Sequence, residues 1–426
     1  MKLKPSKFNT LVSIDADNTL LFNAKNTSFV VLDEKNRSIL DETDHLEKYE
    51  KEVVEHLIDM GFLVQRDIDE KRVLQFEQNK AAYRSDTLFM TIAVTLDCNM
   101  ACAYCYEDKT GQFMNDETAG ALVEFVQTQM ADYKRLHVTW TGGEPLMALD
   151  TITSMSQKFI SLCETTSCDY YASIITNGVL LDEGTSKILG RDCKVRDFQI
   201  TVDGMAETHN KRRLMKDKSD SFDTIVKNIR TALPYSAITL RMNLDKENSK
   251  ESSDLVKFFY EDEGYKDHPG FMISIKNVKS TSGYDSHCYS CHDFLPLYEG
   301  LMPEFLASEK IEKYFPKSTN MACGAQCMAS YAVDPAGDLF KCYEEVGKPE
   351  HRVGTVFTDI DVNKRNLDYM FMPLPEACED CNVLPLCQGG CPIARMENGN
   401  EPICSPAAKT LETYLRHYYD QWLKEE

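Results

Sequence analysis

From residue 89 onward, short apolar runs recur with the alternation of strands, at 89–95, 136–140, 170–175, 198–202, 237–243 and 271–276. Between them apolar residues return every three or four positions, as in Leu122, Val123, Val126 and Met130, or Phe222, Ile225, Val226 and Ile229. That spacing lines one face of a helix. Strands alternating with helices predict an α/β fold of parallel βα units. Six units fall short of a closed eight-stranded barrel, so a partial (β/α)6 barrel is expected over residues 89–285, with its function at the C-terminal ends of the strands.

The flanks read differently. Residues 1–88 form a small α+β module of their own, with apolar alternation at 10–14 and 29–32 and then a helix over 45–60 that Gly61 would cap. Residues 286–320 are expected to bridge, and from 321 to 426 the periodicity gives way to short segments rich in Gly, Pro and Cys. Such a composition suits a fold held by metal more than by a large apolar core. A last amphipathic helix is expected over 406–423.

Composition narrows the classes. No run of eighteen apolar residues occurs and the first thirty residues lack the pattern of a secretory signal, which predicts a cytoplasmic protein with no membrane association. Sixteen cysteines in such a chain point to metal ligation or thiol chemistry, because cytosolic reductants disfavour disulfides. The net charge of −21 opposes a phosphate backbone, and the one basic run, Lys211, Arg212 and Arg213, is too short to make a nucleic-acid surface.

Cys98, Cys102 and Cys105 follow the first barrel strand in CNMACAYC. Three close thiolates can hold three irons of a [4Fe-4S] cubane and leave the fourth open, the mark of a catalytic centre. Zinc wants a closed set of four, and no fourth Cys or His follows nearby. The CX3CX2C spacing with Tyr104 ahead of the last cysteine resembles the radical S-adenosylmethionine (SAM) superfamily, and TWTGGEP at the next strand end resembles that family's GGEP motif. The resemblance implies that SAM binds the open iron and is cleaved reductively to a 5′-deoxyadenosyl radical. It implies SAM contacts from Gly142, Gly143, Glu144 and Pro145, from Asn177 and Asp203 at two later strand ends, and from Arg241 to the SAM carboxylate. His209, in HNKRR, is expected to position its neighbours and not to move protons. No catalytic side chain beyond these is assigned.

Toward the C-terminus, CX3CX14C and CX2CX5CX3CX12C resemble the SPASM extension of peptide-modifying radical SAM enzymes. The family pattern implies one auxiliary [4Fe-4S] cluster on Cys323, Cys327, Cys342 and Cys391, and another on Cys378, Cys381, Cys387 and Cys404. Whether Cys323, Cys327 or both serve the first cluster is left open by the sequence, and a pair of zinc knuckles is the alternative. Cys288 and Cys291 could bind metal, shuttle electrons or form a free surface pair, while Cys163, Cys168 and Cys193 are expected to pack. The resemblance extends to ribosomal-peptide (RiPP) maturases, with residues 1–88 in the place of their leader-recognition domains. It implies a precursor peptide or protein substrate, a flavodoxin or ferredoxin as reductant, and a crosslink product, a thioether first. The alternatives are a sulfatase maturase that makes formylglycine and a non-catalytic zinc-binding protein. In sulfatase maturases an Asp follows the cysteine matching Cys342, and Tyr343 stands there instead, with Glu344 and Glu345 next.

Anaerobic reconstitution should load about twelve irons, four for each of three clusters. Iron and sulfide assays measure this, and zinc at the C-terminal set would refute the three-cluster count.

Overall fold

The computed structural model describes residues 2–279, 284–306 and 315–425. Part of the expected bridge, 307–314, and the side chain of Cys291 lie outside them. The chain divides into two compact units, Met1–Arg84 with Lys310–Gln326 and Met372–Glu426, and Ser85–Glu309 with Cys327–Phe371.

The first unit begins with β1 (Leu3–Pro5) and an antiparallel sheet of β2 (Asn9–Ser13), β3 (Asn18–Asn23) and β4 (Ser28–Asp33). The helix expected over 45–60 is Lys51–Asp59, after a single tight turn at Leu46–Lys48, and Gly61 follows it at φ 77°. β5 (Leu63–Gln65) then returns antiparallel to β1. The helix Glu70–Tyr83 starts where the Asp69 carboxylate accepts the backbone N–H groups of Lys71 and Arg72. Leu21, Leu32, Ile39, Val54, Leu57 and Phe62 make the core of this part.

Residues 1–84 share their unit with the C-terminal segment, whereas the sequence suggested a module apart. Asn382 donates to the carbonyl of Asn9 and to the Thr10 hydroxyl, Lys71 pairs with Asp380 at 3.1 Å, and the Phe29 ring meets Tyr418 edge-on at 5.1 Å. Phe315 lies between Phe22 and Tyr414. The expected last helix is broken at Thr410 into Pro406–Lys409 and Leu411–Glu425.

The second unit is built on six parallel strands in chain order, β6 (Thr87–Thr95), β7 (Arg135–Gly142), β8 (Asp169–Thr176), β9 (Val195–Thr201), β10 (Ala237–Leu244) and β11 (Phe271–Asn277). These are the six expected strands, and helices such as Asp116–Gln129, Leu149–Thr166 and Phe222–Ala232 connect them. Along β7 and β10 every second residue is buried, with Leu136, Val138 and Trp140, or Ile238, Leu240 and Met242, against the helices. The alternate face carries Thr139, Thr141, Arg241 and Asn243, so polar groups collect on one side of the sheet. β12 (Ser330–Val333) joins β6 in parallel, and β13 (Asp338–Phe340), β14 (Gly354–Thr355) and β15 (Asp359–Ile360) extend the sheet antiparallel. Residues 327–371 thus belong to the barrel's unit. Among the described residues no helix is long and apolar enough to cross a membrane.

The Phe29–Tyr418 contact ties residues 1–84 to the C-terminal helix. A double-mutant cycle with Phe29→Ala and Tyr418→Ala, followed by denaturant unfolding, should give a coupling of about 0.5–1.5 kcal/mol. Strict additivity would show that the two segments unfold independently.

Candidate active site

The register of β6 against β7 shifts between Ala93 and Thr95, and there the chain leaves the sheet to make the cysteine loop. Two neighbours hold that loop. Leu214 accepts the N–H of Ala101 at 2.7 Å, and Lys216 donates its backbone N–H to Asn99 at 2.9 Å. On the other side the end of β7 passes very close: Gly143 and Glu144 donate their N–H groups to the carbonyls of Thr95 and Asp97. A Cβ on Gly142 would stand 2.1 Å from the Thr95 carbonyl oxygen, and one on Gly143 would stand 2.1 Å from that of Asp97. The glycines permit backbone to meet backbone.

Glu144 is fully buried. Its Oε1 accepts from the backbone of Leu146 at 3.0 Å and the Thr176 hydroxyl at 2.7 Å, and its Oε2 accepts from the backbone of Asn177 at 2.8 Å. Burial raises its pKa, and these three donors oppose the rise. Asn177 in turn donates to the Asn99 side chain at 2.6 Å.

Around this frame lies a cavity of about 290 Å³, lined by Cys98, Cys102 and Cys105, by Thr141, Gly142, Gly143 and Asn177, and by Arg213, Arg241 and Asn243. The three cysteines therefore line the same cavity as Gly142, Gly143, Asn177 and Arg241, four of the seven residues expected at the cofactor. Among the described residues no three His, Cys, Asp or Glu side chains close around a point the size of one ion. Burial pushes the Cys98 thiol up to about 11, so metal binding there must displace a proton. Glu144, Pro145 and Asp203 are not among the lining residues. Pro145 is buried at the start of a short turn, and Asp203 stands behind the wall, where Oδ1 accepts the Asn243 N–H at 3.0 Å and Oδ2 accepts the Tyr104 hydroxyl. Arg241 bonds Asn243 through Nε at 2.8 Å.

His209 is fully buried, accepts the Asp203 N–H on Nδ1 at 3.3 Å and faces the Ser221 hydroxyl with Nε2 at 3.2 Å. Burial, helped by the charges of Arg213 and Arg212, depresses its pKa to about 3. It stays neutral at physiological pH. Cys288 is buried with Val278 and Tyr284 in an apolar cluster, which removes the surface reading for it. Glu107, Lys276 and the ion pair of Lys279 with Glu344 also line the cavity and were not expected. Lys276 could have been found from its alternate position at the end of β11, and Glu107 from its place two residues after Cys105. Burial raises Glu107 to about 7 and lowers Lys276.

In the first unit Cys378, Cys381, Cys387 and Cys404 form one neighbourhood. Burial and then the sulfurs of Cys387, Cys381 and Cys404 push the Cys378 thiol up to about 11. Cys323 and Cys391 belong to this unit, while Cys327 and Cys342 belong to the other.

Residues 92–259, which carry the whole of this cavity's cysteine loop, match the family model of the Radical SAM superfamily. The chain therefore carries a radical SAM domain. The chain is 23% identical over 326 residues to a cysteine-type anaerobic sulfatase-maturating enzyme of Clostridium novyi (strain NT), covering 69% of this chain and 85% of that one. Among solved structures it resembles native anSMEcpe with bound AdoMet and Cp18Cys peptide, at a TM-score of 0.61 and 19% identity, over 79% of this chain and 98% of that one. It also resembles SuiB of Streptococcus suis, at a TM-score of 0.54 and 16% identity, over 94% of this chain and all of that one. The family uses a [4Fe-4S] cluster and SAM, and the donor set here fits both: three thiols without a fourth, beside polar strand ends and a buried Arg213 Nε that has no partner among the described residues.

Two outcomes are expected. Gly143→Ala should displace the Cys98 segment and abolish SAM binding in a folded protein, and retained affinity in an anaerobic binding assay would contradict this geometry. For His209 the folded pKa lies below the unfolded value, so its contribution to stability is complete above about pH 6.5 and is lost as pH falls toward 3. Chemical denaturation across that window should show His209→Gln losing less stability with acid than the parent, by at most about 1.4 kcal/mol per pH unit. Identical pH slopes would contradict the buried neutral imidazole.

Proposed function

We propose that this enzyme modifies a peptide or protein chain, and that its product is a sulfur-to-carbon thioether within a precursor peptide. In this reading Cys98, Cys102 and Cys105 hold the [4Fe-4S] cluster, and Asn177 and Arg241 bind SAM against the glycine corner at Gly142 and Gly143. With a flavodoxin- or ferredoxin-type electron donor, a cluster held there would supply one-electron reductive cleavage of SAM and, through it, hydrogen abstraction from the substrate. Tyr106 and Tyr343, in edge contact at 6.2 Å, line the same cavity and offer apolar surface to a substrate side chain. Cys378, Cys381, Cys387 and Cys404 would hold an auxiliary cluster, which would accept the electron released when the carbon–sulfur bond closes.

The observation that carries the choice of product is the wall beside Cys342. Tyr343 occupies the place of the sulfatase maturases' Asp, Glu344 is ion-paired with Lys279, and Glu345 is buried with Arg365 and His351. A carboxylate oxygen engaged by a cation meets a substrate proton only by giving up that partner. The likeness to SuiB covers 94% of the chain and so takes in most of residues 1–84, which supports a leader-binding role for that part. SuiB has been solved bound to its precursor peptide SuiA. The second reading, formylglycine formation, is favoured by the sulfatase-maturating relatives and by the presence of Glu344 on the cavity wall.

Incubation with SAM, reductant and a short cysteine-containing precursor encoded nearby separates the two. A thioether product loses two hydrogens, keeps its sulfur and resists thiol alkylation. A formylglycine product loses the cysteine sulfur and reacts with hydrazides. Glu344→Gln should leave turnover within about tenfold, because a general base would cost about a hundredfold or more. A sulfur-depleted, hydrazide-reactive product would overturn the thioether assignment.

A further inference from the structure

Arg213 lines the cavity yet is 8% exposed. Its Nη1 donates to the Tyr104 hydroxyl at 2.7 Å and lies 3.6 Å from Asp203, while its Nε is buried with no partner among the described residues. An unpaired donor in a dry site is costly unless something accepts from it. Cys98, Cys102 and Cys105 line the same cavity. Burial opposes the charge of Arg213, but the Tyr104 oxygen, the Cys102 sulfur and then Asp203 hold its pKa well above the usual guanidinium range. Asp203 is turned to other donors, the Tyr104 hydroxyl and the Asn243 N–H.

The chain just beyond Arg213 is the segment that pins the cysteine loop, through Leu214 to Ala101 and Lys216 to Asn99. Arg213 is thus fixed relative to the cysteine loop from both ends, by backbone on one side and by Tyr104 on the other. The neighbouring Arg212 is differently engaged. It is bidentate to Asp245 at 3.0 and 2.8 Å and stacks over the Tyr104 ring at 5.3 Å, so it fixes the tyrosine that fixes Arg213.

We propose that Arg213 is a positioning residue that tunes the reduction potential of the cluster on Cys98, Cys102 and Cys105, by placing a buried positive charge and a free N–H at the cavity that these cysteines line. The inference rests on the assignment of that cluster to these three cysteines. Taking up one electron from a flavodoxin- or ferredoxin-type donor adds one negative charge to the cluster. Hydrogen bonds to cluster sulfurs and nearby charge both set iron–sulfur potentials. A fixed cation at the sulfur edge favours the reduced form and makes that electron easier to deliver.

The test is an anaerobic redox titration of the full-length reconstituted enzyme, following the electron paramagnetic resonance signal that changes on SAM addition. Arg213→Gln should retain full iron and the SAM-responsive signal, but titrate at a more negative midpoint than the parent. Arg213→Lys, which keeps the charge and loses Nε, should fall between them. Tyr104→Phe, which frees Nη1 and keeps the charge, should shift less than Arg213→Gln. SAM cleavage by Arg213→Gln should be slowed with dithionite and recovered with a stronger reductant such as titanium(III) citrate. An unchanged midpoint in Arg213→Gln with full iron overturns the proposal. So does loss of the cluster in both Arg213 variants, which would make the residue a scaffold. A parent enzyme with no SAM-responsive signal would instead overturn the cluster assignment itself, and the tuning role with it.

Discussion

A fully buried carboxylate, Glu144, fastens the ends of three adjacent strands. Its backbone N–H holds the loop after β6, its own strand is β7, and its side chain takes the Thr176 hydroxyl and Asn177 N–H at the end of β8. Removing such an anchor would leave three buried donors unmet, each worth about 1–3 kcal/mol. The cysteine loop has no regular secondary structure of its own between Cys98 and Cys105. Its position depends on this brace, on the glycine corner beside it, and on the Leu214–Lys216 segment opposite.

The electrostatics of the site run against those of the chain. The whole sequence carries −21, yet the cavity is lined by Lys109, Arg213, Arg241, Lys276 and Lys279 against the carboxylates of Glu107 and Glu344. A cluster bound by three thiolates is anionic, and so is the carboxylate of SAM. Local cations stabilise both where burial weakens solvent screening. Arg213 is held in place by Asp203 behind the wall, and the neighbouring Arg212 by Asp245.

The six barrel strands and the cavity cysteines were legible because each rests on a local pattern, alternation in the strands and close spacing in CX3CX2C. The parts that were not legible lack one. β3 has four consecutive buried residues and no alternation, and β12 to β15 are two to four residues long, too short for any period to register. The assignment of 327–371 to the barrel follows from the pairing of β12 with β6, a contact across more than two hundred positions. Tyr104, Asp203 and Arg213 meet over separations of 99 and 109 residues. The motif residues Glu144 and Asp203 were expected at the cofactor, and the structure places both behind the wall, where they brace the groups that face it.

A cluster on Cys98, Cys102 and Cys105 would leave one iron open to SAM in the cavity that these residues line. Electron–nuclear double resonance on the reduced enzyme, with SAM labelled with ¹⁵N at its methionine amino group, reads that contact directly. The predicted result is a hyperfine coupling between the labelled nitrogen and the cluster spin, present in the parent and absent when Cys98, Cys102 and Cys105 are replaced by Ala. A reduced, iron-loaded parent that binds SAM without any such coupling would contradict it.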